Sequence, residues 1–586
     1  MIKGRKETFW GNLINMTFTN TQIAAILREI AELLSLKDGN RFRTMAYERA
    51  ATSIEFLDRD VADIYTEKGV KGLDTIEGIG SSIAQKIAEL LETGHLVYYE
   101  RLREQFPAIT AKLLAIPGIG PKTARSIAEG LKIETIDALP DALNSTEGKE
   151  LFGPKTREKI LRGYYARATQ TRRLPLFRAE PIAEEVLSAL RSERHVTEAD
   201  AVGSLRRHRE TVGDIDFVAV STEPPATFDF IVNQPFVRKV LAKGINKTTF
   251  IHARDIQIDI EILPRENYGS LLQYLTGSKE HNIVLRTYAE SKGFSLSEWG
   301  IKKDDKLITC HTEVCVYGHL GMAWIPPELR EDRGEIKAAL FDQLPALIEE
   351  RDIRGDLHVH SNWSDGQASI AEMASAAQKL GREYIAISDH TVGLGVAHGL
   401  SEAEIRQRQK KIGSVRKDFP HLKILSGLEV NILADGKLDI SDEVLAEMDV
   451  VTASIHSALG QSEERITARF LRAMNNPNVD IIGHPSGRII SERSESAVDW
   501  PTFFRRAAET GTAIEINASP YRLDLKDTLV QQAKEYGAKF IISTDAHSPP
   551  ELAHMRYGVY VARRGWLEKE DVLNTLPFPK LKRRLK

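Results

Sequence analysis

Two acids, Asp214 and Asp216, flank Ile215 at the entrance to the apolar run FVAV. On a β-strand, residues two apart project from the same face. Both carboxylates are therefore expected together at the mouth of a buried strand. Like charges held that close need a cation between them, and hard cations with oxygen ligands, Mg²⁺ or Mn²⁺, fit. A third acid, Asp259, lies in a second alternating run, IQIDIEIL. Three convergent carboxylates suffice for a phosphoryl-transfer site holding two ions about 3.5–4 Å apart. Just upstream, Gly203 and Ser204 make a small-residue loop whose N–H groups could face a triphosphate, and Arg207 follows as a phosphate clamp.

A second constellation lies beyond residue 350, where nine of the sixteen histidines fall. His358, His360, His390, Glu429, His456, His484, Asp545 and His547 each lie in or at the C-terminal end of an apolar, β-branched run, and Asp365 follows the first. Imidazoles mixed with carboxylates favour transition ions, Mn²⁺ or Zn²⁺ before Mg²⁺. His398, His421 and His554 lack strand-end placement and read as surface groups.

These residues need elements to hold them. The runs RGDLHVH, EYIAISDH, KILSGLEV, MDVVTASIHS, VDIIGHP, AIEINAS and KFIISTDAH alternate with helical periodicity. That predicts a parallel, barrel-like (β/α)7 sheet with its site at the C-terminal strand ends. The first half starts as a helical pattern from Thr17, followed by IEGIGSSIAQKI at 76–87 and IPGIGPKTARSI at 116–127, with LFGPKTREKIL at 151–161 as a looser copy. Gly78 and Gly80, then Gly118 and Gly120, permit a tight turn that aims N–H groups outward at a helix start, a ready phosphate site. Residues 155–178 add eight Lys/Arg against one Glu, a candidate template contact. Residues 337–350 read as a helical linker. A length of 586 residues demands several domains. A net charge of −4 argues against coating nucleic acid by bulk charge. No apolar run is long enough to span a membrane. Cys310 and Cys315 give no disulfide framework, so a reducing cytoplasm, next to the nucleoid, is the expected location.

GSLRRHRETVGDID resembles the palm signature of the X family of DNA polymerases. The resemblance implies catalytic metal binding by Asp214, Asp216 and Asp259. It implies triphosphate contacts from Gly203, Ser204 and Arg207. The block YGSLLQYLTGSKEHNIVLRTYAESKGFSLSEWGI resembles that family's nucleotide turn and thumb. It implies nucleotide contacts from Tyr274, Gly277 and Asn282, and a template contact from Arg286. Leu275, Lys279 and Gln257 depart from relatives with Phe, an acid and Arg there. The GIG repeats resemble helix-hairpin-helix motifs, which implies backbone contacts to DNA at Gly78, Gly80, Gly118 and Gly120. Lys86 aligns with a family lysine that forms a Schiff base with abasic sugar.

The C-terminal half resembles the PHP (polymerase and histidinol phosphatase) family, and all nine ligand positions are filled. That resemblance implies three ions: one on His358, His360, Glu429 and Asp545; one on Glu429, His456 and His484; one on Asp365, His390 and His547. Arg488 is a candidate phosphate contact. The expected fold is multidomain α+β and α/β. It runs as an extension at 1–15, a helix-hairpin-helix domain at 16–101, fingers at 102–172, palm at 173–265, thumb at 266–333, linker at 334–350 and PHP domain at 351–586. The expected function is gap-filling DNA synthesis in base-excision repair by a monomer acting on gapped or primed duplex and dNTPs. PHP 3′–5′ exonuclease activity accompanies it, with abasic-site cleavage or 3′-phosphate removal as further options. The alternatives are a PHP phosphoesterase using the palm as a DNA clamp, and an RNA-directed nucleotidyltransferase.

Overall fold

The computed structural model of the chain describes residues 18–585, apart from 19, 38–40, 56, 58, 77, 104–108, 115, 117, 118, 134, 155, 158, 162, 163, 165–172, 305 and 394–396. The expected extension, Gly118 and much of the basic segment at 155–178 lie outside the described residues. The chain divides into two compact units, residues 1–171 and 172–586.

The first unit is helical. It includes α1 (Asn20–Lys37), α2 (Arg41–Glu55), α3 (Val61–Asp74), α4 (Ser81–Thr93) and α5 (Pro121–Gly130). Ile23, Leu27, Ile30 and Leu34 are all buried, as a 3.6-residue period requires of a core-facing stripe. Both GIG turns are built the same way. In the first, Ile76 N–H donates to Leu73 O, Ile79 N–H to Ile76 O and Ala84 N–H to Gly80 O. In the second, Ile116 donates to Leu113 O, Ile119 to Ile116 O and Ala124 to Gly120 O. Gly78 has φ +78°, a conformation open to glycine at little cost.

In the second unit, α6 (Leu176–Ser192) buries Ile182, Val186 and Leu190 against a five-stranded sheet. Its strands are β1 (Val196–Ala201), β2 (Asp214–Ser221), β3 (Val237–Lys243), β4 (Lys247–His252) and β5 (Gln257–Ile262), in spatial order β1-β2-β5-β4-β3. β2 and β5 run parallel, while the other neighbours are antiparallel. Then come α7 (Tyr268–Thr276), α8 (Lys279–Ser291), a small antiparallel sheet within 295–308, and α9 (Glu313–His319). Cys310 and Cys315, expected to form no disulfide framework, are bonded across the turn into α9, with Cα atoms 5.5 Å apart. Pairing at five residues' separation depends on that turn, which the count of cysteines does not reveal.

The linker is helical only over Glu335–Leu340. Pro345 cannot continue a helix, and the chain instead docks in extended form, with Leu347 bridged to Glu568 and Ile348 fully buried. Seven parallel strands follow in sequence order: β6 (Gly355–Val359), β7 (Tyr384–Ile387), β8 (Lys423–Asn431), β9 (Val450–Ser454), β10 (Ile481–Ile482), β11 (Ala513–Asn517) and β12 (Phe540–Ser543). The ends approach where Val359 bridges Ala546, so the sheet nearly closes into a barrel. Every residue of β6, β7, β9, β11 and β12 is buried, which is why these runs read as continuous apolar stretches. The last long helix, α10 (Met555–Arg564), lies against both β12 and the 3₁₀ turn Pro327–Leu329.

Candidate active sites

The first site is built on β2 and β5. Asp214 and Asp216 leave the same face of β2, and Asp216 stands opposite Asp259 in the parallel register. Ligand oxygens of all three acids lie within 4.8 Å of one another. Thr249 Oγ1 and Gln257 Nε2 hold Asp259, the latter at 3.0 Å. Burial pushes the Asp216 carboxyl up to about 7, and the charges of Asp214 and Asp259 add to the shift. A carboxylate that costly to ionise is relieved by a bound cation, so the donor set fits the expected ions. Gly203 has φ +63°, and a Cβ there would stand 2.7 Å from Asp216 Oδ2. Only glycine lets this loop cross the acid so closely.

A cavity of about 830 Å³ opens beside these acids. Gly203, Ser204, Arg207, Asp214, Asp216, Tyr274, Gly277, Asn282 and Arg286 all line it. Residues 70 positions apart meet here because α7 ends at Gly277, whose absent side chain leaves 3.1 Å between a would-be Cβ and Arg207 Nη1. Asn282 is fixed by donating to Tyr274 O at 2.7 Å and accepting from Gln273 at 2.8 Å. Sequence reasoning missed Glu331, to which Arg207 Nε donates at 2.9 Å. It also missed Arg564 on α10, which donates to Glu331 at 3.0 Å and to the Arg207 carbonyl at 2.7 Å. No local signal marks either residue, since their partners lie more than a hundred positions away.

The second site crowns the barrel. His358 and His360 are fully buried at the end of β6. Glu429 lies within ion-pair reach of five imidazoles: His358 at 3.3 Å, His360 at 3.6 Å, His390 at 2.9 Å, His456 at 3.2 Å and His484 at 2.8 Å. Asp545 lies 3.1 Å from His360 and 3.6 Å from His358, while Asp365 lies 3.5 Å from His390 and 3.4 Å from His547. The tight groupings are His358–His360–Glu429–Asp545, His360–Asp365–His390–His547 and His390–Glu429–His456, so His360, His390 and Glu429 are each shared between two. Burial alone would raise the Glu429 carboxyl, but His390 and His456 drive it well below the usual range. The ring nitrogens His358 Nε2, His360 Nδ1 and Nε2, and His390 Nδ1 are buried without a hydrogen-bond partner. Buried donors and acceptors are rarely left so, and orphaned nitrogens beside carboxylates fit a metal-ligand set. His484 and Asp545 have positive φ, +26° and +55°, backbone strain of the kind that gathers at functional sites.

A supporting layer went unread in the sequence. Glu515 accepts from His358 Nδ1 at 2.7 Å and from the His484 N–H at 2.6 Å. Asn431 Oδ1 lies 2.6 Å from His456 Nδ1, and Asn517 donates to Asp545 at 3.1 Å. Such contacts fix ring orientation and tautomer. The signal was the two-residue period: Asn431 follows Glu429 by two on β8, and Glu515 and Asn517 alternate on β11. Arg488, expected as a phosphate contact, is buried and occupied, donating to Glu210 at 2.7 Å and to Arg522 O at 2.9 Å.

In the first unit, Gly80 and Gly120 cap α4 and α5 with no side chain hydrogen-bonded to the helix start. Lys86 Nζ lies 2.9 Å from Ser82 Oγ and 5.1 Å from the Tyr98 ring centroid. Burial, helped by the Arg43 charge, moves its amine below the usual lysine range.

The chain matches family models for a helix-hairpin-helix domain over residues 18–96, a SAM-like helix-hairpin-helix tandem over 110–163, a DNA polymerase beta thumb over 271–331 and a PHP domain over 356–519. It is 36% identical to the DNA polymerase/3′–5′ exonuclease PolX of Bacillus subtilis (strain 168), over 94% of this chain and 96% of that one. A probable phosphatase of Thermoanaerobacter sp. (strain X514) is 32% identical over 38% of this chain and 89% of its own length. One from Syntrophotalea carbinolica is 28% identical over 37% and 90%.

Proposed function

This chain belongs to the PolX family, and from that premise we propose that it is a DNA polymerase filling short gaps in base-excision repair, with a 3′–5′ exonuclease in its barrel. The observation that carries the polymerase reading is the single cavity where the acids Asp214 and Asp216 meet the triphosphate and sugar contacts Ser204, Arg207 and Tyr274. When bound, Mg²⁺ or Mn²⁺ lowers the pKa of an attacking 3′-hydroxyl and neutralises the leaving phosphate. The chain's own part is positioning. Ser204 N–H and Oγ and the Arg207 guanidinium orient the triphosphate, Asn282 and Gly277 hold the nucleotide's edge, and the backbone at Gly80 and Gly120 grips template phosphates.

In the barrel, bound Mn²⁺ or Zn²⁺ supplies Lewis acidity and an activated water for phosphoester hydrolysis. Glu515, Asn431 and Asn517 keep His358, His456 and Asp545 in orientation for that set. The likeness to probable phosphatases favours one further reading, removal of 3′-phosphates by the same site. A lyase step at Lys86 is supported by its depressed amine, and borohydride trapping on a 5′-deoxyribose phosphate end tests it.

Primer extension on a gapped duplex with dNTPs and Mg²⁺ or Mn²⁺ tests the polymerase reading. Extension dependent on the downstream 5′-phosphate supports it. Trimming without extension would leave the palm a DNA clamp for a phosphoesterase, and preference for an RNA primer would move the substrate class to RNA.

A further inference from the structure

Outside both sites, Cys310, Cys315 and His319 gather at the two ends of α9. We propose that, once reduced, these three residues form a binding site for one soft divalent cation of the Zn²⁺ class, and that this site and the Cys310–Cys315 disulfide are alternative states of one staple. His319 follows Cys315 by four residues, which puts both on one face of the helix. His319 Nδ1 lies 3.7 Å from Cys315 Sγ and 4.0 Å from Cys310 Sγ. Around a tetrahedral Zn²⁺ with arms of ~2.3 Å to sulfur and ~2.0 Å to nitrogen, the nitrogen-to-sulfur edge is about 3.5 Å. The imidazole stands within about 0.5 Å of that edge from both sulfurs, and the sulfurs must part to about 3.8 Å. His319 Nδ1 is also 2.9 Å from the Cys315 carbonyl oxygen, an acceptor that holds the ring proton on Nδ1 in the disulfide state, so binding a cation exchanges this hydrogen bond for the metal–nitrogen bond and moves the proton to Nε2. Cys310 is buried whereas His319 is exposed, so the fourth position faces solvent and takes water.

The interconversion balances with a dithiol reductant. Two electrons and two protons enter the sulfur–sulfur bond and yield two thiols, while the dithiol becomes its own disulfide. Binding one cation then releases both thiol protons and forms two metal–sulfur bonds and one metal–nitrogen bond. Thiol pairs in reducing surroundings are more often metal-binding than structural.

The staple spans a consequential segment. Glu313, inside the loop it closes, accepts from Arg206 at 2.8 Å and from Arg330 at 2.6 Å. Arg206 in turn donates to Thr276 Oγ1 at 2.6 Å, at the rim of the nucleotide cavity. The disulfide closes residues 310–315 and the metal site residues 310–319, and either closure fixes the carboxylate that holds Arg206.

Co²⁺ added to the full-length chain tests this. The chain has two cysteines in all, so any thiolate-to-cobalt charge-transfer band must come from this site and not from the barrel. Protein reduced with dithiothreitol and then freed of it without oxygen should show the band, saturating at one Co²⁺ per chain. The oxidised protein and Cys315→Ser should lack it, and His319→Ala, a change at an exposed residue, should weaken Co²⁺ affinity by at least about tenfold. Absence of the band in reduced protein, or its persistence unchanged in either variant, would overturn the proposal.

Discussion

Asp216 and Asp259 stand opposite each other on parallel neighbours β2 and β5, although 43 residues separate them in the chain. The pair, with Asp214 beside it, has no cation of its own closer than Lys247 Nζ, 3.8 Å from Asp259, among the described residues. Asp259→Ala is therefore expected to remove nucleotide addition, by about a thousandfold or more, a loss of some 4 kcal/mol in transition-state stabilisation. Trimming of 3′ ends should persist. Steady-state extension and single-strand degradation measured on the same preparation check both halves, and loss of both activities together would contradict the separation of sites.

His360→Ala should do the reverse, because its ring faces Asp545 and Glu429 and nothing in the palm. A finer probe is Glu515→Gln. It keeps the shape but replaces the carboxylate beside His358 Nδ1, and a fall of about 10–100-fold in barrel metal affinity or hydrolysis is expected with synthesis unchanged. Titration with Mn²⁺ distinguishes the outcomes, and an unaltered affinity would reduce Glu515 to a core acid.

Arg564 joins barrel to palm. It is nearly fully buried and donates to Asp527 at 2.7 Å, to Glu331 at 3.0 Å and to the Arg207 carbonyl. Arg564→Met leaves buried acids short of a cation, which costs about 3 kcal/mol or more when one partner is removed. Glu331 should then draw Arg207 more strongly, raising KM for the nucleotide more than it lowers kcat. Denaturant unfolding and dNTP titration measure the two effects, and a variant as stable as the parent would show that this network is incidental.

Glu313 provides a pH signature. Burial would raise its carboxyl, but Arg330 and Arg206 overcome that and bring it down to about 2. An unfolded Glu titrates near ~4.3, so the ionised form adds about 3 kcal/mol of stability. Because the folded value is the lower one, that stability is complete above about pH 5 and is lost as pH falls towards 2. The stability gap between the parent and Glu313→Gln should hold constant from pH 7 to about 5 and narrow below it. A gap that ignores pH would rule the ion pair out as its source.

Much of this protein can be read along the chain because its signals are local. Period-two alternation marked Asp214, Asp216 and Asp259, continuous apolar, β-branched runs marked the seven barrel strands, and the GIG repeat announced two turns with the same hydrogen bonds. The linker was misread past Leu340, where Asp342 at φ +57° turns the chain out of the helix before Pro345 is reached. Arg488 looked free beside His484, but it is bound to Glu210, an acid 278 residues earlier.

Residue types and periodicity by themselves determined which side chains could bind cations and on which strand faces they stand, since strand geometry ties spacing to direction. The tertiary structure alone decided who meets whom. It set Glu331 and Arg564 around Arg207, Glu515 and Asn431 behind the imidazoles, and Cys310 against Cys315. Ion pairs and second-layer hydrogen bonds form between residues that share no period or neighbourhood, so they exist only once the chain is folded.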